Sequence, residues 1–349
     1  MVSMLTGCGA SDGWKVISLE EANGGKETLK VVKESDVKTL GEDSIFHVPS
    51  MFDASRREFL QYQYVIDDIG NGKEVIKNVY NGETIEVNKD KFGEDETVKS
   101  ILASGINSYI IDNYIIIYVP NPDYKESDKH VGEYKEIKWY NLETEEWNKY
   151  ECKKDDYITH IVIGYYDNKV YTLLYEDNKE VDDDNLIENT NEKIQCLNLK
   201  TAELKIEKNL DIKGTAYLDF DYLDKNRMIF TNVPNPKTVV RVLDFKNRIF
   251  SELLNKDLSA DTSTYMLTDN FSPLKDRFFY TTENDGIISV YVMVVGEDDK
   301  VKAEGKVFEY KKGDELHINW DKSGKKLIIS ENIALNGTPQ NYRVLEFNM

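Results

Sequence analysis

Residues 316–330, LHINWDKSGKKLIIS, decide the fold: a short apolar strand, a polar turn led by Asp321, and a second apolar strand. The same unit recurs upstream. Residues 111–116 (IDNYII), 166–171 (YDNKVY), 223–229 (LDKNRMI) and 275–279 (KDRFF) each bring an Asp to the head of an apolar or aromatic run. From Asp112 through Asp167, Asp224 and Asp276 to Asp321 the steps are 55, 57, 52 and 45 residues. A quasi-period of about 50 residues built on strand–turn–strand units is the signature of a β-propeller, whose repeats are small sheets that cannot bury their faces alone.

Working outward, the chain divides into repeats at 44–88, 100–153, 157–209, 215–255, 263–310 and 316–349. In the first, strands are expected at 45–48, 58–65, 74–80 and 83–87, with Asn81-Gly82 as the hairpin signal. Outer hairpins are expected at 140–147, 197–204 and 243–249. A Val-Pro-Asn-Pro element stands at 119–122 and again at 233–236, an offset of 114, or two steps of 57. Proline removes a ladder donor, so each copy ends a strand. The expected class is therefore all-β: a propeller of about six four-stranded blades, seven if the N-terminal strands form a divergent one. The last repeat supplies three strands of its own, at 316–320, 326–330 and 341–347, so one of two N-terminal runs, 14–19 or 27–32, is expected to complete it. Residues 14–349 then form one propeller domain behind a short tether, 1–13.

Bulk properties narrow the function classes. A formal charge of -20 and a pI near 4.7 oppose binding to nucleic acid or to an anionic bilayer through a basic patch. An apolar share of 40% suffices for a sizeable core. Cys8, Cys152 and Cys196 show no CxxC or Cys/His clustering; the last two lie in strand-like runs and read as small buried hydrophobes in preference to a disulfide. No apolar run reaches the about 18 residues that a spanning helix needs.

Leu5-Thr6-Gly7-Cys8 resembles the bacterial lipobox, which implies a lipidated Cys8, an extracytoplasmic location and membrane attachment through that lipid alone. Seven residues precede Cys8, too few for a basic region and an apolar region of about 7 to 15 residues, so a shortened start is expected. From about residue 44 onward the chain resembles TolB-like and WD40-like bacterial propellers, 319–326 (NWDKSGKK) being the closest fit. That resemblance is one of fold: neither a Kelch double glycine nor a repeated Gly-His to Trp-Asp pair is present.

In such a fold the Asp turns lie on the structural side, where aspartates bond turn amides, and function belongs to the irregular loops. The two long loops are 121–133, with Tyr124 and His130, and 176–192, with Asp182, Asp183 and Asp184. Clustered carboxylates suit Ca²⁺, but the EF-hand spacing is absent, and a solvated acidic loop is the plainer reading. His47, His160 and His317 fall in expected innermost strands, as a tri-histidine metal site would require. Counted to their turn aspartates, however, they stand 6, 7 and 4 residues away, so period-two alternation turns His160 to the other face. Asp219 and Asp221 flank Phe220 and share a strand face, an arrangement open to acid/base chemistry on a glycan. No nucleophile elbow, phosphate loop or dinucleotide fingerprint occurs.

The expectation is a cofactor-free, monomeric binding propeller on the cell envelope, meeting a protein, small molecule or glycan on its loop face. The alternative is a channel-mouth hydrolase or lyase using Asp219 and Asp221. Intact-mass analysis of the full-length gene product from a bacterium is expected to show a lipid adduct on Cys8; an unmodified cysteine ends the envelope reading.

Overall fold

The computed structural model describes residues 13–40, 63–79, 82–93, 95–105, 107–124, 133–153, 158, 162–177, 190–210, 218–224, 226–232, 238–256, 270–314, 316–331 and 341–348. Two compact units hold them: residues 1–53, 185–188 and 214–349 form one, and 54–184 with 189–213 the other. Among the described residues there are six sheets, four of four strands, one of five and one of three, all built on antiparallel meanders, and three short helices; the fold class is that of a β-propeller.

The N-terminal segment of the first unit runs β1 (Lys15–Ile17), α1 (Leu19–Asn23), β2 (Glu27–Thr28) and β3 (Val31–Val37). The strand expected at 14–19 ends early because the Ser18 side chain accepts from the Glu21 amide at 3.3 Å and caps a helix.

The second unit begins with β4 (Tyr64–Gly70), β5 (Lys73–Asn78) and β6 (Thr84–Asn88), sheet order β4-β5-β6. Asn71 and Gly72, at φ 54° and 73°, make the β4–β5 turn, so the strand expected at 58–65 reaches on to Gly70. Then come α2 (Lys89–Phe92), in the gap between the expected repeats 44–88 and 100–153, and α3 (Glu96–Ser104), which runs into the start of the second. Asp95 caps α3 by accepting from the amides of Thr97 (2.9 Å) and Val98 (3.3 Å), and Gly105 ends it in the left-handed region at φ 71°. Val98, Ile101 and Leu102, spaced as one helical stripe, are its buried residues. Strands β7 (Ser108–Ile111), β8 (Tyr114–Pro120), β9 (Tyr134–Asn141) and β10 (Glu146–Glu151) form the next sheet. Pro120 ends β8 at a register shift; the second Val-Pro-Asn-Pro copy lies outside the described residues. Strands β11 (Val162–Tyr166), β12 (Lys169–Asp177), β13 (Thr190–Asn198) and β14 (Glu203–Asn209) form the third sheet.

The first unit resumes with β15 (Leu218–Asp224), β16 (Arg227–Asn232), β17 (Thr238–Asp244) and β18 (Ile249–Lys256), then β19 (Arg277–Asn284), β20 (Ile287–Val295) and β21 (Val301–Lys311), then β22 (Leu316–Trp320), β23 (Lys326–Glu331) and β24 (Asn341–Phe347). The N-terminal strands finish all three sheets. β1 lies parallel outside β18, β2 lies parallel to β21, and β3 pairs antiparallel with β24, Tyr342 opposite Val37. An N-terminal strand thus completes the last sheet, but it is 31–37, which only touches the expected 27–32.

Strand β20 explains why neighbouring sheets must stack. Val290, Val292 and Val294 pack with Phe279, Trp320 and Leu327, while Met293 and Val295 pack with Phe278, Ile229 and Val242. Period-two alternation with both faces apolar leaves no face for water.

The turns repeat as well. Asn141, Asn198 and Asp244 open the outer hairpins, their side chains accepting from amides two or three residues on, at 2.8–2.9 Å for the shortest in each. Four positions later Glu145, Ala202 and Arg248 stand at φ 55°, 51° and 54°. The inner Asp turns are less uniform than expected. Asp224 and Asp321 do bond turn amides, Asp321 accepting from Lys325 and Lys326 at 3.0 Å each. Asp112 and Asp167 instead occupy φ 52° and 47°, where a short polar side chain is tolerated, and Asp276 clamps the Arg277 guanidinium.

The N-terminal strap is held by specific contacts. Trp14 meets Phe245 edge-on at 6.1 Å beneath the Arg248 guanidinium, and Lys26 pairs with the buried Glu304, which also accepts from the Tyr280 hydroxyl and, at 3.2 Å, from Lys256. At Gly305 the strap approaches so closely that a Cβ would stand 2.0 Å from the Leu29 carbonyl oxygen. Gly305→Ala is therefore expected to destabilise the fold by about 1–3 kcal/mol, read as a lower urea midpoint and faster proteolysis ahead of Val31.

Candidate functional site

The second unit carries a groove of about 330 Å³, lined by Phe92, Asp95, Val98, Lys138, Trp147, Asn148 and Lys149. It exists because α2 and α3 stand between β6 and β7 and lay their apolar side over one face of the β7–β10 sheet. The Lys99 ammonium pins α3 to the buried Glu74 of β5 at 3.0 Å. Across β9 and β10, Tyr140 faces Trp147, Lys138 faces Lys149 and Glu136 faces Glu151, all on that same sheet face.

The floor is aromatic and rigid. Trp147 Nε1 donates to the Phe92 carbonyl at 2.9 Å, and the two rings lie 5.3 Å apart at a 39° tilt. Tyr140 stands edge-on to Phe92 at 5.2 Å, behind them. With its N–H already committed, Trp147 keeps a half-buried ring face for contact. The rim is charged but internally matched. Lys138 Nζ donates to Asp95 at 2.9 Å and Lys149 Nζ to Glu151 at 2.6 Å, with Glu136 3.6 and 3.8 Å from the two lysines. The Lys138 hydrogen bond holds the Asp95 carboxyl below its ordinary range, helped by the Val98 and Thr97 amides against burial. Glu151 raises the Lys149 ammonium. Two like-charged pairs face each other across the strands, and the carboxylates between them neutralise the repulsion.

A second constellation, in the first unit, has a strongly shifted group but no cleft. Asp299, on the β20–β21 turn, is fully buried. Arg227 Nη1 reaches it at 3.4 Å while its Nε binds Asp224 at 2.6 Å, and Asp299 Oδ2 has no donor among the described residues. Burial first and the Asp244 carboxylate second push Asp299 up to about 7, against the pull of Arg227. Sealed from solvent, it knits three turns together instead of meeting a substrate.

Of the residues singled out from sequence, few fall where they can be compared. Tyr124 is exposed at 41%, on the turn after Asn121. His317 is exposed in β22, opposite Ser330. Asp219 and Asp221 lie in β15 opposite Thr231 and Ile229, their side chains outside the described residues. Cys8, His47, His130, His160, Asp182, Asp183 and Asp184 also lie outside them. Among the described residues no three His, Cys, Asp or Glu side chains converge as a metal site, no helix is long and apolar enough to cross a membrane, and Cys152 and Cys196 form no disulfide, the latter being buried. The groove itself went unread in the sequence. Its signals were the Asp95 to Gly105 helix frame and a tryptophan on the outer hairpin.

No protein-family model and no curated protein matches the sequence. Solved structures that resemble it include an oligogalacturonate lyase in complex with manganese (9% identity, TM-score 0.33, 76% of this chain and 66% of that one). TolB from Acinetobacter baumannii resembles it at 14% identity and TM-score 0.27, over 78% and 63% of the two chains. The β-propeller domain of the Trilobed protease from Pyrococcus furiosus does so at 13% and 0.32, over 70% and 71%. The chain thus spans under two thirds of the length of the first two.

The Asp299 shift has a testable sign. A carboxyl whose folded-state pKa exceeds its unfolded value binds more protons when folded, so its contribution is full below about 4 and lost as pH rises through about 7. Asp299→Asn is expected to remove that slope and to raise the thermal midpoint more at pH 8 than at pH 5, as followed by circular dichroism.

Proposed function

We propose that this protein is a non-catalytic binding module in which propeller sheets are the scaffold and the groove over Trp147 is the contact site. The observation that carries the reading is the combination of a preformed concavity, an aromatic floor fixed by a hydrogen bond, and convergent polar groups at the rim. The volume is in the range of about 300–1,000 Å³ typical of small-molecule sites. The lipobox-like Cys8 supports a place on the outside of a bacterial membrane, held by the lipid. Rigid sheets favour binding because they keep the groove formed before the ligand arrives, so little ordering entropy is lost.

A small-molecule library screened by saturation-transfer NMR against the full chain is expected to yield ligands whose signal falls at least about tenfold in Trp147→Ala. Lys149→Gln, at a half-exposed side chain on the rim, is expected to weaken the same ligands with a nearly unchanged thermal midpoint. Ligands recovered chemically altered after incubation would make the protein an enzyme; ligands indifferent to both substitutions would move the site elsewhere.

A further inference from the structure

From the chemistry of its lining, we infer that the groove takes an uncharged sugar, an inference that rests on the binding-module reading above. Four ligand classes can be weighed against the lining. A free anion would have to displace Asp95 from Lys138 and Glu151 from Lys149, contacts of 2.9 and 2.6 Å in a chain of net charge -20. A cation would meet two ammonium groups facing each other across β9 and β10, and the carboxylates beside them, Asp95, Glu136 and Glu151, are already held at 2.6–3.8 Å by those ammonium groups. A wholly apolar ligand would cover Lys138, Asp95 and Lys149 and desolvate polar groups without giving them partners. A flat aromatic ligand such as a nucleobase is held best between two rings, and Phe92, buried and 5.3 Å from Trp147, leaves no slot between them and only one ring to stack on.

A pyranose satisfies every part of the lining. One ring face presents C–H groups, whose positive edge suits the negative π-face of Trp147. Its hydroxyls both donate and accept, so they can accept from Lys138 and Lys149 and donate to Asp95 without breaking the ion pairs already present. Rim charges that are each already paired with an opposite one provide directional hydrogen bonding without a free charge to attract an ion, which suits a neutral polar partner. Binding should then depend little on salt, because no counter-ions are released.

The test titrates the full chain with maltotriose, cellotriose, galactotriose and chitotriose, with galacturonate and glucose 6-phosphate as charged comparators and adenosine as a flat aromatic one, by isothermal calorimetry at low and high salt. Saturable binding of a neutral trisaccharide, weakened about tenfold or more by Trp147→Ala and more modestly by Lys149→Gln but little changed by salt, is the expected result. Because Trp147 also packs against the core, the exposed Lys149→Gln keeps the test independent of any folding defect. Tighter, salt-sensitive binding of a charged sugar, or binding of adenosine in its place, overturns the inference while leaving the binding module standing. If no sugar binds but library ligands still lose affinity in the Trp147 variant, the sugar assignment alone fails. If nothing depends on Trp147, both readings fail.

Discussion

A narrow sheet whose two faces are both apolar cannot stand alone in water, and that constraint organises each unit of this protein. In β8 the residues Tyr114 to Val119 are all buried, so no side of the strand is left for solvent. Ile115 and Ile117 pack on the side of β4–β6 and α3, and on the next strand Trp139 sends its indole N–H to the Leu199 carbonyl of the neighbouring sheet at 3.1 Å. Trp320 makes the equivalent reach to Asn270 in the other unit, at 2.8 Å. An indole buried between sheets adds large apolar area and still finds an acceptor for its one donor.

Given stacked sheets, the turns must be compact and alike. The backbone N–H groups of Leu142, Leu199 and Phe245, each at the start of an outer hairpin, donate to the carbonyls of Asn113, Asn168 and Asn226 on the inner turns of their own sheets. One hydrogen bond per sheet thereby ties the two turns at that end. The short polar residues at these turns serve the backbone in different ways: some as Asx acceptors, some by tolerating positive φ, some by holding an arginine. What recurs is the need for a tight turn, and several side-chain solutions meet it.

The same economy separates the two polar constellations. Asp299 is shifted because it is sealed with Asp244 and only one guanidinium, and such burial marks a structural knot when no cavity opens onto it. The groove residues are less perturbed, yet they are the ones a ligand can reach. Access, more than the size of a pKa shift, distinguishes a binding surface here. The N-terminal strap belongs to the structural side too: Lys26, Lys256, Tyr280 and Glu304 form a closed, satisfied cluster that fastens β2 over the edge of β21.

Much of the fold was legible in the chain. The three strands expected at 316–320, 326–330 and 341–347 match β22, β23 and β24 to within a residue, and the outer hairpins fall where Asn141, Asn198 and Asp244 announce them. These are local signals: period-two patterning and turn chemistry act within a few residues, so the sequence by itself determined strand type, turn positions and the repeat. The helices α2 and α3 were legible in principle, through the caps Asn88 and Gly93 and the caps Asp95 and Gly105, but a strand-type period has no place for a helix. Other features had no local signal. That β1 and β2 would lie parallel on the edges of β18 and β21, that Gly305 would be needed for a close approach, and that Phe92 would meet Trp147 across 55 residues of chain were decided only by tertiary structure. Each depends on which sheet edge or face is left open once the neighbours have packed, a property of the assembled units that no stretch of the chain contains.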